Sequence, residues 1–367
     1  MKIDMHCHVL GNGKDINNIN NDIYYNISDN SLGNSFNAKK YFVRYIVTKM
    51  LEDFIKKEGG NILNHEISAD DYFNLIYKLL TDSTEIDSIV LLAMDGIYSN
   101  TGNHELLIQE TELFASNRFV YKKVCELNDR LKNSTDENIK NKKFLFGASV
   151  SPNRLDWENE LKYVCEDTEA VLLKWIPSAM HIEVWNKEHE NFYKSLVKYD
   201  LPLLCHVGPE YAFIEGVSKS SYDNFKYLDT PLSYGVKVIA AHCATPLLPV
   251  DRNDLNDFIK YLNFWNANEI KLWADTSALN TTTRLSLLPK IVNNINSKFL
   301  VHGSDFPVPI SGIEHLPYIT HNMTLNEYQE ILGTKNPFDL DVKLKRAHGF
   351  KDNILTNAES ILRLPKN

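Results

Sequence analysis

The chain carries no CxxC spacing, no dense run of lysine and arginine, no long apolar stretch, and no Gly-rich dinucleotide loop behind its first apolar run. Each absence removes a class of protein. A bilayer crossing needs about 20 consecutive apolar residues, so the sequence reads as that of a soluble protein with no membrane partner. Its start, Met1-Lys-Ile-Asp-Met-His6, places charge inside the apolar segment and offers no small-residue cleavage site, unlike a secretory signal. The five cysteines (Cys7, Cys125, Cys165, Cys205 and Cys243) are an odd number. Cys7, Cys205 and Cys243 lie in apolar strand-like runs, where a free thiol packs as a small hydrophobe. A reducing cytosol suits that usage better than a disulfide framework, so the expected localisation is cytoplasmic. A net charge of −9 without a basic patch argues against nucleic acid as the partner.

What the chain does have is a regular alternation. At 367 residues and 43% hydrophobic content it is long enough for one large barrel or two ordinary domains. Short apolar runs lie at 1–6, 89–94, 144–149, 170–173, 202–205, 238–241, 271–274 and 298–301. Continuous apolarity over four to six residues implies burial on both faces, as in a parallel sheet covered by helices. Helical periodicity fills the intervals at about 105–132, 157–166, 187–199, 253–265 and 283–294. Eight strands alternating with helices predict an α/β fold, a closed (β/α)8 TIM barrel, with an open doubly wound sheet as the alternative. The missing dinucleotide fingerprint weakens that alternative.

Residues 1–367 are therefore expected to form a single barrel, interrupted by a long, partly helical insertion at 9–86 after strand 1. Within it, 11–37 is Asn-rich and reads as loop, while 38–57 and 70–81 have helical periodicity. A first βα loop lies on the catalytic face of a barrel. The insertion thus reads either as a lid that shapes substrate choice or as a protein-contact arm.

Polar residues close the apolar runs. His6 and His8 stand in Met5-His6-Cys7-His8, and alternate strand side chains share a face. Asp95, Lys174, His206, His242 and Asp275 follow or end later runs, and Asp305 follows the last. Ionisable groups at strand C-terminal ends converge on one pocket in a barrel. Imidazoles and a carboxylate meeting there make the donor set of a divalent metal. Any single histidine is more often a satisfied core residue; so many matched strand ends make coincidence a poor explanation.

The segments His6-Cys7-His8, Leu204-Cys205-His206-Val207-Gly208, Ala241-His242-Cys243 and Gly303-Ser304-Asp305-Phe306-Pro307 resemble the metal signatures of the amidohydrolase superfamily. With the tail Asn357-Ala-Glu-Ser-Ile-Leu-Arg-Leu364, they are similar to its amidohydrolase-related branch, which includes aminocarboxymuconate-semialdehyde decarboxylase and related aromatic-acid decarboxylases. The resemblance covers strand 1 and residues 87–364, and leaves the insertion unmatched. It implies that His6, His8, His206 and Asp305 hold one metal and that His242 is a catalytic group beside it. Zn²⁺ is favoured by the donor types, and Mn²⁺ and Fe²⁺ accept the same donors. Asp305 would also carry a proton between water and leaving group, and His242 would orient the nucleophile or stabilise oxyanion charge.

Lys174 has two readings. Some superfamily members carry a carboxylated lysine there that bridges two metals, which would give His206 and His242 a second ion. Otherwise Lys174 contacts substrate charge or a carboxylate. Asp275 is expected to hold a ligand imidazole by its other nitrogen. Trp175 and His181 are expected to line the pocket, and His302 to be core or to support a ligand. His65, His104, His189, His315, His321 and His348 have no matching spacing and are expected at the surface.

Three functions compete: a metal-dependent hydrolase of a small-molecule amide, lactone or ester through a metal-activated water, a decarboxylase of an aromatic or enoic carboxylic acid, and a non-catalytic metal-binding barrel. An arginine gripping the carboxylate favours the second. Arg44, Arg252 and Arg284 are the candidates, none at a strand end, so hydrolysis leads. The resemblance also implies a homodimer.

Overall fold

A computed structural model describes residues 1–10, 23–25, 49–51, 53–56, 67–99, 104–108, 110–210, 220–267, 269, 271–319 and 323–365. All eight expected strands form in it. They are β1 (Ile3–His8), β2 (Ser88–Leu92), β3 (Lys143–Ala148), β4 (Ala170–Trp175), β5 (Leu203–Cys205), β6 (Val238–Ala240), β7 (Leu272–Asp275) and β8 (Leu300–Val301). Neighbours in sequence are neighbours in space, and every pairing is parallel. The sheet closes on itself just past β8. Met5 N donates to His302 O at 3.1 Å, Asp305 N to His6 O at 2.8 Å and His8 N to Phe306 O at 2.9 Å. The fold is a (β/α)8 barrel.

Alternation along the strands builds two cores. Val90, Leu92, Leu145, Leu172, Leu204, Ile239, Trp273 and Val301 share one cluster with Ile3 and Met5, filling the interior. Ala358, Ile361 and Leu362 of the C-terminal tail join it, and Arg363 N bonds Val171 O at the start of β4, so the tail covers the end away from the strand C-termini. Ile89, Leu91, Phe144, Phe146, Leu173, Leu203 and Cys205 face outward to the helices. These include α1 (Ala69–Asp82), α2 (Asn117–Lys132), α3 (Trp157–Glu166), α4 (Glu190–Lys198), α5 (Leu255–Trp265), α6 (Leu288–Asn294) and α7 (Pro337–Ala347).

One irregularity in β1 sets the site. Asp4 pairs with Ile89 and Cys7 with Leu91, so Met5 and His6 together stand opposite Val90. Such a bulge re-aims side chains. Asp4 and Cys7 take the outward face of Ile89 and Leu91, while His6 and His8 face the barrel mouth. Cys7 is fully buried in the outer core, as alternation from His6 and His8 requires.

The helix expected over 105–132 begins only at Asn117. Leu113–Ala115 is extended instead, paired antiparallel with Ile23–Tyr25, and the Ser116 side chain then caps α2 by accepting from Phe119 N at 3.1 Å. A partner some ninety residues away thus overrides local periodicity. Ile23–Tyr25 also corrects the reading of 11–37 as loop; the rest of that segment lies outside the described residues. Of the helix expected over 38–57, residues 49–51 and 53–56 are described and helical. Among the described residues no helix is long and apolar enough to cross a membrane.

Gly303 shows how tightly β1 and the β8 extension approach. A Cβ there would stand 2.7 Å from His6 Cβ and 3.2 Å from Ser277 Cβ. Gly303→Ala is expected to cost about 1–3 kcal/mol in denaturant unfolding, as overpacking does.

Candidate metal centre

The barrel brings the polar strand ends to one mouth. His6 and His8 end β1, Lys174 is the penultimate residue of β4, His206 directly follows β5, and Asp275 ends β7. His242, Cys243, Ala244, Ala278 and Asp305 all have positive φ, 57°, 50°, 51°, 51° and 66°. Non-glycine residues held there cost energy and cluster where a site over-determines the backbone. The turn at 242–244 and the single residue 305 aim two of the expected side chains back into the mouth.

Asp275 organises the centre. Its Oδ2 accepts from His6 Nδ1 at 2.7 Å; its Oδ1 accepts from His242 N at 2.7 Å and from the Ser277 hydroxyl at 2.5 Å. Burial opposes its charge, but His6, His242 and Ser277 hold the carboxyl well below the usual range. An ionised Asp275 fixes the proton of His6 on Nδ1 and leaves the Nε2 lone pair facing the mouth. There His6 Nε2, His8 Nε2 and Asp305 Oδ1 form a triangle with all three edges 3.2 Å. Three electron-rich atoms crowded together call for a cation between them. Donors placed tetrahedrally around zinc at 2.0–2.1 Å have edges of roughly 3.3 Å. The residues therefore fit a divalent metal. Burial opposes charge on Asp305, yet His6, His242 and His8 hold its carboxyl well below the usual range.

His206 and His242 form the adjoining arm. His242 Nδ1 faces three acceptors, Ser277 O at 3.1 Å, Ser277 Oγ at 2.8 Å and Asp305 Oδ2 at 3.8 Å, which places its proton on Nδ1. Its Nε2 then accepts from His206 Nδ1 at 3.2 Å. That leaves the His206 Nε2 lone pair 3.2 Å from the carbonyl oxygen of Gly208, a contact that a cation on Nε2 would relieve. His206 is not within the three-residue cluster itself; it reaches that cluster through His242. Burial pushes His242 down to about 3, with Arg284 adding to the fall, and pushes His206 well below its ordinary value. Both rings are thus neutral, as ligands or acceptors must be.

Lys174 is 2% exposed, with Nζ 3.2 Å from His6 Nε2. Burial pushes its ammonium down, while Asp275 and Asp305 oppose the fall. Arg284 is 3% exposed. It donates to Pro246 O at 3.2 Å and Ala278 O at 3.4 Å, and among the described residues no carboxylate forms an ion pair with it. Arg252 is instead an exposed partner of Asp254, and Arg44 lies outside the described residues. Two contributors carried no strand-end signal. Glu210 Oε2 stands 3.6 Å from His206 Nδ1, and Asp4 Oδ1 accepts from His6 N at 3.2 Å and Ser304 N at 2.9 Å. Burial pushes Asp4 up to about 7 against the bonds from Ser304 and His6.

Other expectations need correction. Trp175 does not line the pocket: next to inward-facing Lys174 it points outward, donating Nε1 to Val150 O at 2.8 Å and packing on Phe192 and Tyr193. His181, at φ 53° in the loop after β4, has its carbonyl held by Asn153 Nδ2 at 3.1 Å and its Nδ1 4.0 Å from Glu110 Oε2. Asp95 is saturated by Gly96, Tyr98, Ser151 and Arg154 and supports loops rather than a ligand. His189, His315 and His348 are buried, not at the surface, and His315 Nδ1 meets His348 Nε2 at 2.8 Å. His302 is fully buried beside Lys345, with Nδ1 and Nζ 3.4 Å apart, and His65 and His321 lie outside the described residues.

These features define a (β/α)8 barrel with a candidate metal centre at its strand C-termini. No protein-family model and no curated protein matches the chain. Solved structures do. An Acinetobacter baumannii protein described as a probable 2-pyrone-4,6-dicarboxylic acid hydrolase, with citric acid bound, shares 13% identity and a TM-score of 0.50 over 98% of this chain and 99% of its own. An uncharacterized TIM-barrel protein of Bordetella bronchiseptica shares 14% over 97% and 99%, with a TM-score of 0.48. A 4-oxalomesaconate hydratase of Rhodopseudomonas palustris shares 13% over 95% and 97%, with a TM-score of 0.43. At such identities the likeness is one of fold.

Proposed function

We propose that the chain is a metal-dependent hydrolase of the amidohydrolase superfamily, in its amidohydrolase-related branch, acting on a small-molecule amide, lactone or ester. The observation that carries this is the triangle of His6 Nε2, His8 Nε2 and Asp305 Oδ1 with edges of 3.2 Å. His6, His8 and Asp305 would hold the ion, with His206 completing the set; Zn²⁺ suits them best. Such an ion polarises a carbonyl and lowers the pKa of water. Asp305 takes the proton released as water adds to the acyl carbon and returns it to the departing nitrogen or oxygen. His242, with its proton on Nδ1, lies within reach of the same carboxylate and helps orient the reacting group.

Arg284 favours a second reading of the substrate. A buried guanidinium with no carboxylate partner among the described residues, close enough to depress His206 and His242, suits a carboxylate on the substrate. A carboxylic acid that loses CO₂ fits it as well as a lactone or ester that bears a carboxylate and is hydrolysed. Helix α1, at the end of the insertion, packs in the outer core and anchors it to β1: the Tyr72 hydroxyl donates to His8 O at 2.5 Å, and its ring lies against Phe306.

The test is metal analysis followed by a substrate panel. One zinc per chain, lost in His6→Ala, is expected; no bound metal in the purified or zinc-reconstituted protein would overturn the reading. Two ions, of which one is lost in Lys174→Ala, would assign Lys174 the bridging role. Turnover of carboxylated lactones or esters supports hydrolysis, whereas CO₂ release from aromatic acids alone supports the decarboxylase.

A further inference from the structure

The strand that leads to Asp305 is the shortest in the barrel: β8 ends at Val301, and residues 302–305 run on outside the regular ladder. Backbone bonds to β1 tie His302 and Asp305, but the peptide unit between them needs other partners, because a shift of Asp305 by a fraction of an ångström would open the 3.2 Å triangle. The peptide unit joining Gly303 to Ser304 is held at both ends by buried ionisable side chains. Its carbonyl accepts from Lys345 Nζ at 2.8 Å, and its N–H donates to Asp4 Oδ1 at 2.9 Å. Lys345 is 1% exposed and Asp4 is fully buried. The same Asp4 oxygen also accepts from His6 N at 3.2 Å. The peptide dipole is oriented favourably between them, oxygen toward the ammonium and N–H toward the carboxyl.

We infer that Asp4 and Lys345 are positioning residues that clamp the Gly303–Ser304 peptide and thereby set the spacing between His6 and Asp305. The bulge in β1 is what makes this geometry available, since it turns Asp4 toward the outer layer from which α7 sends in Lys345. The contact with His6 N ties the β1 donor to the same anchor. Asp341, one turn before Lys345 and 2.5 Å from its Nζ, holds the ammonium, and Asn280 Nδ2 holds Asp341 at 2.7 Å. The clamp touches neither substrate nor metal; it acts through backbone.

The inference rests on the reading of His6 and Asp305 as metal ligands, so zinc stoichiometry of the unmodified chain is measured first and judges that reading alone. Zinc affinity, by competition with a chromophoric chelator, and thermal stability are then compared in Asp4→Asn, Lys345→Met, the double variant and Lys345→Arg. Each single change is expected to weaken zinc binding about 10- to 100-fold, the range found for groups that orient ligands from behind. Because both residues act on one peptide, the double variant should lose little beyond the worse single, and Lys345→Arg should recover most of the loss. Losses that multiply in the double variant, or zinc binding as tight as the parent's despite lowered thermal stability, overturn the clamp. A readout independent of metal is amide hydrogen exchange: the Ser304 and Asp305 N–H groups should exchange at least about tenfold faster in Lys345→Met. Unchanged exchange there also overturns it.

Discussion

Asp305→Asn is expected to lower kcat/KM by at least about a thousandfold and to release the metal in the same variant. Under the proposed function two roles fall on one carboxylate. It supplies the anionic corner of the donor triangle, 3.2 Å from both His6 and His8, and it is the group placed to carry the proton, a function worth roughly 10²–10⁴ by itself. The amide keeps the shape but neither accepts a proton at neutral pH nor offers a charge to the cation. Folding should not suffer comparably, since Asp305 is held by its backbone bond to His6 O at 2.8 Å, which the substitution leaves in place. His242→Asn supplies the contrast. It should lose turnover while retaining metal, because His242 meets the triangle itself only by a 3.8 Å contact with Asp305, and the hydrogen bond it accepts from His206 is one that an asparagine oxygen can also accept. Metal content, circular dichroism and kcat/KM on one turned-over ester or lactone decide the matter. An Asp305→Asn protein that keeps both its zinc and its rate would remove Asp305 from the centre.

The parts of this molecule that were legible in the sequence are those written in local pattern. Continuous apolar runs such as 89–94 and 144–149 announce strands buried on both faces, and each does become a barrel strand. Barrel geometry then places the polar residues ending those runs at one mouth, which is why His6, His8, His242 and Asp305 are legible in the sequence. Strict alternation is also a limited guide. Applied to β1 it would put Asp4 on the face of His6 and His8, whereas the bulge opposite Val90 turns Asp4 to the other side of the sheet. It equally excludes Trp175 from the pocket once Lys174 faces inward, a consequence of the two-residue period that position at a strand end obscured. The helix over 105–132 was cut short by pairing with Ile23–Tyr25, a contact that no window of neighbouring residues contains. His315 and His348 are buried against each other from segments 33 residues apart, and Arg284 owes its burial to the turn after β7; neither follows from spacing.

Arg284→Met is expected to move stability and function in opposite directions. Bringing a charged group out of water costs several kcal/mol, only partly recovered without a paired anion. Arg284 has two backbone carbonyls as hydrogen-bond acceptors, and burial pushes its guanidinium down while Asp305 and Glu210 oppose from longer range. Methionine fills similar space without that desolvation, so the ligand-free protein should gain thermal stability, by about 1 kcal/mol or more on the scale seen when buried ions are replaced by apolar groups. The same change should weaken a carboxylate-bearing substrate roughly 10²-fold or more in kcat/KM, the cost of leaving a buried anion unpaired. Its methyl ester at that carboxylate should lose far less, so discrimination between acid and ester collapses in the variant. Arg284→Lys should keep part of the preference but lose the planar two-point grip. Equal losses for the acid and its ester would instead make Arg284 a packing element around 278–284, held by the carbonyls of Pro246 and Ala278. A fall in melting temperature would point the same way. A gain in stability with a selective loss for the acid would locate the substrate's carboxylate beside Arg284.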